Sequence, residues 1–189
     1  MSDYKERLHK STLTRYRKQC ASLMKGKLLD VGGGLGMYVP YFGTKNVTIL
    51  DMDEETLSRI NGVNTILGDV EQMPFDDEMF DSVWSCAVGQ YVDFNKMVKE
   101  CLRVCKVGGR IMILVPNGKS PWDKVKRFFK MDTWSDLEGL KRLQTVDDLL
   151  QYGKVVGEVV VLPFFVVYKE SSIWSHINVG YNKGLEVYV

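Results

Sequence analysis

The chain has 189 residues, 45% of them hydrophobic, a length that buries enough surface for one domain spanning residues 1–189 without covalent staples. With 25 Lys+Arg against 24 Asp+Glu and a formal charge of +1, no global electrostatic attraction to nucleic acid or anionic membrane is built in, so any basic surface must be local. Cys20, Cys86, Cys101 and Cys105 form no CxxC pair, and His9 and His176 lie far from them in sequence, a pattern that argues against a metal site and for buried free thiols.

The start, "MSDYKERLHK", carries charge rather than an apolar signal core, and no stretch reaches the roughly 18 apolar residues that crossing a bilayer demands, which sets the expectation of a cytoplasmic protein. Residues 4–24 place Leu8, Leu13, Tyr16, Cys20 and Leu23 at helical spacing among many Lys and Arg, predicting an amphipathic helix. The pattern then alternates. "KLLDV" predicts a strand, "MYVPYF" a brief helix interrupted near Pro40, "NVTILDMD" a second strand and "DEETLSRI" a helix with an acidic first turn.

"NTILGD" predicts a third strand, "FDSVWSCAV" a fourth, "FNKMVKECLRVCK" a helix and "GRIMILVPN" a fifth strand after the Gly108-Gly109 turn. Residues 118–144 break this rhythm as a helical insertion. "TVDDLLQYG" follows as a helix from Thr145 to a glycine cap at Gly153. "KVVGEVVVLPFFVVY" and "GLEVYV" add two strand-like runs, for seven in all. Strands separated by helices, several of them apolar on both faces, imply an α/β fold: a doubly wound, mostly parallel sheet covered on both sides.

In such a sheet, ligands meet the carboxyl ends of the strands near the point where the first strand turns into the first helix. "KLLDVGGGLG" is that turn, and its glycines let a ligand approach the main chain. Gly32, Gly34 and Gly36 are evenly spaced and do not make the G-x-G-x-x-G fingerprint of a dinucleotide. Asp30 within the turn repels phosphate and favours a cation, an ammonium or sulfonium. A tight turn without a ligand is the competing reading of these glycines.

Asp51 ends the second strand, where a carboxylate can accept hydrogen bonds from both hydroxyls of a ribose or serve as the acid before a helix; Asp53 is the more natural cap. Asp69 ends the third strand beside Val70, a pair able to take an adenine's amino edge and cover its face, and as a lone acid it would be a solvated loop residue. Three acids at three successive strand ends behind one glycine turn are harder to dismiss together than singly.

"LLDVGGGLG", "VTILDMDEETL", "GDVEQMPFDDEMFDSVWSCAVGQYV" and "ECLRVCKVGGRIMILVPN" resemble, in order and spacing over residues 27–117, the successive motifs of class I S-adenosylmethionine-dependent methyltransferases. The likeness is greatest to the small-molecule branch that includes ubiquinone and menaquinone biosynthesis enzymes. It implies a Rossmann-like methyltransferase fold, with S-adenosylmethionine as cofactor and a small-molecule acceptor. It further implies that Asp30, Gly32 and Gly34 line the methionine end of the cofactor, Asp51 holds the ribose, Met52 packs on the adenine, Asp69 and Val70 take the adenine edge and face, and Cys86 lies near the methionine portion.

The chain departs from many relatives after the fourth strand, where Gln90 and Tyr91 stand in place of a histidine pair. The absence of N-P-P-Y and Pro-Cys sequences argues against amide, adenine-amino and pyrimidine methylation. Tyr91, His176 and Asp81 are conceivable general bases, none of them singled out, and Asp81 is better read as ordering the turn before the fourth strand. In the insertion, Trp122, Val125 and Phe129 share a helical face amid Lys124, Lys126, Arg127 and Lys130. That pattern suits a lid over an apolar acceptor, a helix lying on a membrane surface, or ordinary packing with a solvated basic face. A protein or RNA methyltransferase and a non-catalytic S-adenosylmethionine-binding protein are the alternative readings.

Overall fold

The computed structural model describes residues 12–115, 128, 139–142, 154–161, 166–170 and 184–188. The expectations for residues 4–11, for nearly all of the 118–144 insertion including its aromatic face, for the helix at 145–153 and for His9 and His176 lie outside them. In chain order the elements are α1 (Thr12–Ser22), β1 (Leu28–Val31), a 3-10 turn (Val39–Tyr41), β2 (Val47–Asp51), α2 (Glu54–Leu57), β3 (Asn64–Leu67), β4 (Phe80–Cys86), α3 (Phe94–Val104), β5 (Cys105–Leu114), β6 (Lys154–Val161), β7 (Val166–Glu170) and β8 (Gly184–Tyr188).

The strands form one sheet in the order β3-β2-β1-β4-β5-β8-β6-β7. All neighbours are parallel except β6 and β7. The chain moves outward from β1 through β2 to β3 and then returns to place β4 on the other side of β1, so the switch point falls between β1 and β4. Among the described residues the sheet holds eight strands, against seven strand-like runs in the sequence. The 154–168 run is two strands, β6 and β7, paired antiparallel with Val161 opposite Val166, and Pro163, which has no N–H for a sheet ladder, lies between them in sequence.

Both faces are covered, as a doubly wound fold requires. Leu29, Val31, Leu50, Val83, Ile111 and Ile113 point to one face and bury Met97, Val98, Cys101 and Val104 of α3. Leu28, Ile49, Trp84 and Met112 point to the other, against Cys20, Ala21, Met24 and Phe42. Alternate residues of one strand therefore feed two separate cores, which is why β1 is buried along its whole length and its sequence shows no alternation.

α3 starts where Asp93 accepts hydrogen bonds from the Asn95 and Lys96 backbone N–H groups, and its stripe Phe94, Met97, Val98, Cys101, Val104 is fully apolar. It ends two residues earlier than its sequence pattern, which ran to Lys106. Cys105 is extended, opens β5 and leaves the helix, so the two cysteines are buried free thiols, and burial pushes the Cys101 thiol well up from its ordinary range. The fifth strand thus begins before Gly108, whose positive φ of 76° makes the expected turn as an irregularity within the strand. Asp53 caps α2 by accepting from the Thr56 backbone N–H, as expected.

Arg103 of α3 clasps the loop after β3. Its guanidinium donates to both carboxylate oxygens of Glu100 at 2.8 Å, to the Met73 and Phe75 carbonyls at 3.0 and 2.7 Å, and to Asp77 at 2.9 Å. These bonds hold the Glu100 carboxyl below its usual range. Replacing Arg103 with Met keeps much of the stem but strands two carbonyls, so urea unfolding should show a loss of about 2 kcal/mol. An unchanged midpoint would mean that the clasp contributes nothing.

Candidate cofactor-binding site

The residues singled out from the sequence lie on the carboxyl ends of β1, β2 and β4 and on the segment leaving β3. Asp30 is the third residue of β1, directly beside Ile49 of β2 and Trp84 of β4. It is only 2% exposed, and its Oδ2 has no hydrogen-bond partner. Burial, reinforced by the Asp51 charge, raises its carboxyl from 3.8 to about 7. A buried acid of this kind is satisfied by a cation brought to it.

The glycine loop follows. Gly32 and Gly33 donate to the Leu50 carbonyl at 2.7 and 3.3 Å, tying the loop across to β2. Gly32 has φ of 64°, and a Cβ there would meet Val88 at 2.5 Å, so glycine is required by packing as well as by conformation. Gly34 has φ of 51°, but a Cβ there would meet nothing within 4 Å. One glycine serves the fold, and the other borders open space.

Asp51, the last residue of β2, accepts from the Gly34 N–H at 2.8 Å through Oδ2 and from the Asp53 N–H at 3.0 Å through Oδ1. It anchors the glycine loop while keeping further lone pairs on both oxygens. Met52 next to it is 81% exposed, an unusual position for a large apolar side chain. Asp69 accepts from the Glu71 N–H at 2.8 Å, making a local turn, and its side chain is exposed. Val70 is 7% exposed and packs into the core beneath α3.

Cys86 ends β4. Its Sγ donates to the Tyr38 hydroxyl at 3.6 Å, and burial raises the thiol from its ordinary range. The next residue, Ala87, has a positive φ of 60°, a conformation uncommon for a residue with a Cβ. Gln90, in the departure from the family pattern, is 1% exposed; it donates through Nε2 to the Ala87 carbonyl at 2.9 Å, and its Oε1 lacks a partner. Its own carbonyl accepts from the Lys141 N–H at 2.9 Å, bringing residues 139–142 onto this loop. Asp81 stands at the opposite end of β4, accepting from Lys106 and from the Lys27 N–H, both at 2.7 Å, so its carboxylate serves the turn into β1 and not the crevice.

Two residues at the crevice were not singled out from the sequence. Arg17 of α1 is 7% exposed, and Tyr38, following the glycine loop, meets Trp84 with ring centroids 5.3 Å apart and planes tilted by 57°; burial raises its hydroxyl and the nearby Arg17 charge pulls the other way. The signal was present for one of them: Arg17 lies three and four residues before Cys20 and Ala21, on the helix stripe that faces the sheet. A cation on an apolar stripe marks a buried partner. No comparable pattern flags Tyr38. Among the described residues no group of three or more His, Cys, Asp or Glu side chains could hold a metal ion. Nor is any described helix long and apolar enough to cross a membrane.

A doubly wound sheet with helices on both faces, a glycine loop after β1 and an acid at the end of β2 defines a Rossmann-like domain, a fold that takes ligands at the carboxyl ends of the strands beside its switch point. Residues 29–113 match the family model described as "Methyltransferase domain". The chain is 34% identical over 119 residues to 2-methyl-6-phytyl-1,4-hydroquinone methyltransferase 1 of Oryza sativa subsp. japonica, covering 57% of this chain and 35% of that protein. It is 31% identical over 118 residues to a ubiquinone/menaquinone biosynthesis C-methyltransferase of Idiomarina loihiensis, covering 53% and 47% respectively. The chain therefore spans between a third and a half of the length of these relatives. In fold it is similar to a SAM-dependent methyltransferase of Thermotoga maritima, with a TM-score of 0.63 at 19% identity, over 79% of this chain and 74% of that one.

Proposed function

We propose that the protein transfers a methyl group from S-adenosylmethionine to a small-molecule acceptor. The observation that carries this reading is Asp30, a buried carboxyl with an orphaned oxygen beside a glycine loop that opens onto free space at Gly34. The crevice fits the cofactor's chemistry: an acid for the ammonium, a carboxylate at Asp51 with lone pairs for ribose hydroxyls, and an exposed Met52 for the face of a base. Asp69 and Val70 would border the adenine, Gly32 and Gly34 the methionine end, and Cys86 the floor near it. When bound, the cofactor supplies a methyl group already activated on a positively charged sulfur. The protein's part is then to hold the acceptor in line and to exclude water, so positioning dominates over covalent help.

One named relative is a 2-methyl-6-phytyl-1,4-hydroquinone methyltransferase and the other a ubiquinone/menaquinone biosynthesis C-methyltransferase, which supports a phenolic or quinol-like acceptor of largely apolar character. The acceptor site would lie beyond Gln90 and residues 139–142, next to the methyl-bearing end. Calorimetry should show binding of S-adenosylmethionine and of its demethylated product. Asp51→Ala should weaken both by more than about tenfold, because charge-assisted bonds to two hydroxyls and the anchor of the Gly34 loop go together. Wild-type protein that binds neither compound overturns the cofactor assignment. Incubation with labelled methyl donor and cell extract should put label into small metabolites, whereas label in protein or RNA would reject the acceptor class.

A further inference from the structure

We propose that Glu71 is a positioning residue that ties the loop bordering the base to residues 139–142, so that a filled base site holds those residues against the loop after β4. This rests on the cofactor reading above and adds an order to it, the acceptor side being completed only once the cofactor is in place. Glu71 stands two residues after Asp69, whose Oδ1 accepts from the Glu71 N–H at 2.8 Å. Its own carboxylate reaches three other segments. Oε1 accepts from the Asp93 N–H, at the start of α3, at 2.7 Å and from Lys141 Nζ at 3.2 Å, while Oε2 accepts from Lys96 Nζ at 3.5 Å. These donors hold the Glu71 carboxyl below its usual range. Residue 141 is fastened a second time, because the Lys141 and Arg142 N–H groups both donate to the Gln90 carbonyl, at 2.9 and 3.2 Å.

The links are short. A base lodged against the Asp69 carboxylate fixes the turn that orients residue 71, and through Glu71 it fixes Asp93 and Lys141 together. The loop after β4 leans on the glycine loop from the other side: a Cβ at Gly32 would meet Val88 at 2.5 Å, and Gln90 Nε2 holds the Ala87 carbonyl at 2.9 Å. Both ends of the crevice therefore bear on residues 139–142, which border the proposed acceptor site. An ion pair with a partner as exposed as Lys141, at 59%, is weak, so Glu71 supplies a bias of a few fold and not an all-or-none switch. A bound ligand shifts such an arrangement only by the difference in its affinity for the held and released forms.

Amide hydrogen exchange at Lys141 and Arg142 reads the arrangement directly, with S-adenosylhomocysteine, the demethylated cofactor, as the probe. In the wild type a saturating amount should slow exchange of these two N–H groups by about fivefold. In Glu71→Ala the slowing should fall below about twofold, and because coupling is reciprocal, affinity for the probe should drop by the same factor that the slowing has lost. Glu71→Gln keeps an acceptor for the Asp93 N–H but loses the charge; it should show an intermediate slowing, and it decides the matter should the alanine variant fail to fold. A residue that only braced the fold would speed exchange equally with and without the probe and leave the slowing at its wild-type value. That result, or a wild type whose Lys141 and Arg142 exchange ignores the bound probe, overturns this proposal alone. A wild type that does not bind the probe overturns the cofactor reading with it.

Discussion

Asp30→Asn should make the protein more stable at pH 8 and worse at binding its cofactor. In the folded protein the carboxyl is raised from 3.8 to about 7, first by burial and then by the Asp51 charge. The sign follows from proton counting. Between about pH 4 and pH 7 the folded protein keeps this proton while the unfolded chain releases it, so the wild type loses stability as pH rises through that window and levels off above it. The interval between 3.8 and about 7 corresponds to up to about 4 kcal/mol.

Asparagine has the same shape and no proton to lose, so the variant escapes that decline. Thermal unfolding should place it roughly 5–10 °C above the wild type at pH 8 and close to it at pH 4. The groups facing Asp30 are Asp51 and Cys86, with Arg17 reaching the same floor through Tyr38, and none of them supplies a compensating charge change at this substitution. Cofactor affinity should fall at the same time, because the ammonium loses its counter-charge. In the wild type that affinity should climb with pH up to about 7, since a protonated Asp30 must release its proton to receive a cation. A variant no more stable than the wild type at pH 8 would show that Asp30 is not buried as an acid in solution.

Trp84→Ala should be the most damaging single change in the described core. Trp84 sits in the middle of β4 between Asp30 of β1 and Met112 of β5, is 0% exposed, and meets Tyr38 and Phe42 at ring distances of 5.3 and 5.7 Å. Truncation leaves a cavity that flanking parallel strands cannot close, at a cost of about 3–5 kcal/mol. That is a large share of a typical domain's stability and should lower the unfolding temperature by roughly 10–15 °C.

Trp84→Phe is the control. The indole Nε1 has no partner in the structure, so phenylalanine forfeits volume but no hydrogen bond, and the loss should be less than half as large. If the two variants lose the same stability, the polar edge of the indole matters more than its volume. Because Tyr38 rests on Trp84, the alanine variant should also weaken cofactor binding in whatever fraction remains folded.

The α/β class and the parallel sheet were legible in the chain, since they rest on local signals. Short apolar runs alternating with amphipathic segments imply crossovers, and "KLLDVGGGLG" marks the turn where such folds bind ligands. The cap at Asp53 and the placement of Asp30, Gly34 and Asp51 on neighbouring strand ends follow from the same reasoning, because residues that close a strand stay at its end whatever the strand packs against.

Other features needed the folded arrangement. Periodicity tells which face of a helix is buried but not which residue it meets, so nothing in α1 alone joins Arg17 to Tyr38 and Cys86, 21 and 69 positions away. Strand likeness does not set strand order, and β8 enters between β5 and β6 although it comes last in the chain. A carboxylate's chemistry depends on what surrounds it: Asp81, tied to Lys106 and the Lys27 N–H, serves a turn, while Asp30, sealed beneath the glycine loop, holds its proton to near neutrality. Sequence determined which groups are present and at which strand ends they emerge. Desolvation and pairing across the sheet, which exist only once distant segments pack together, decided their charge and their partners.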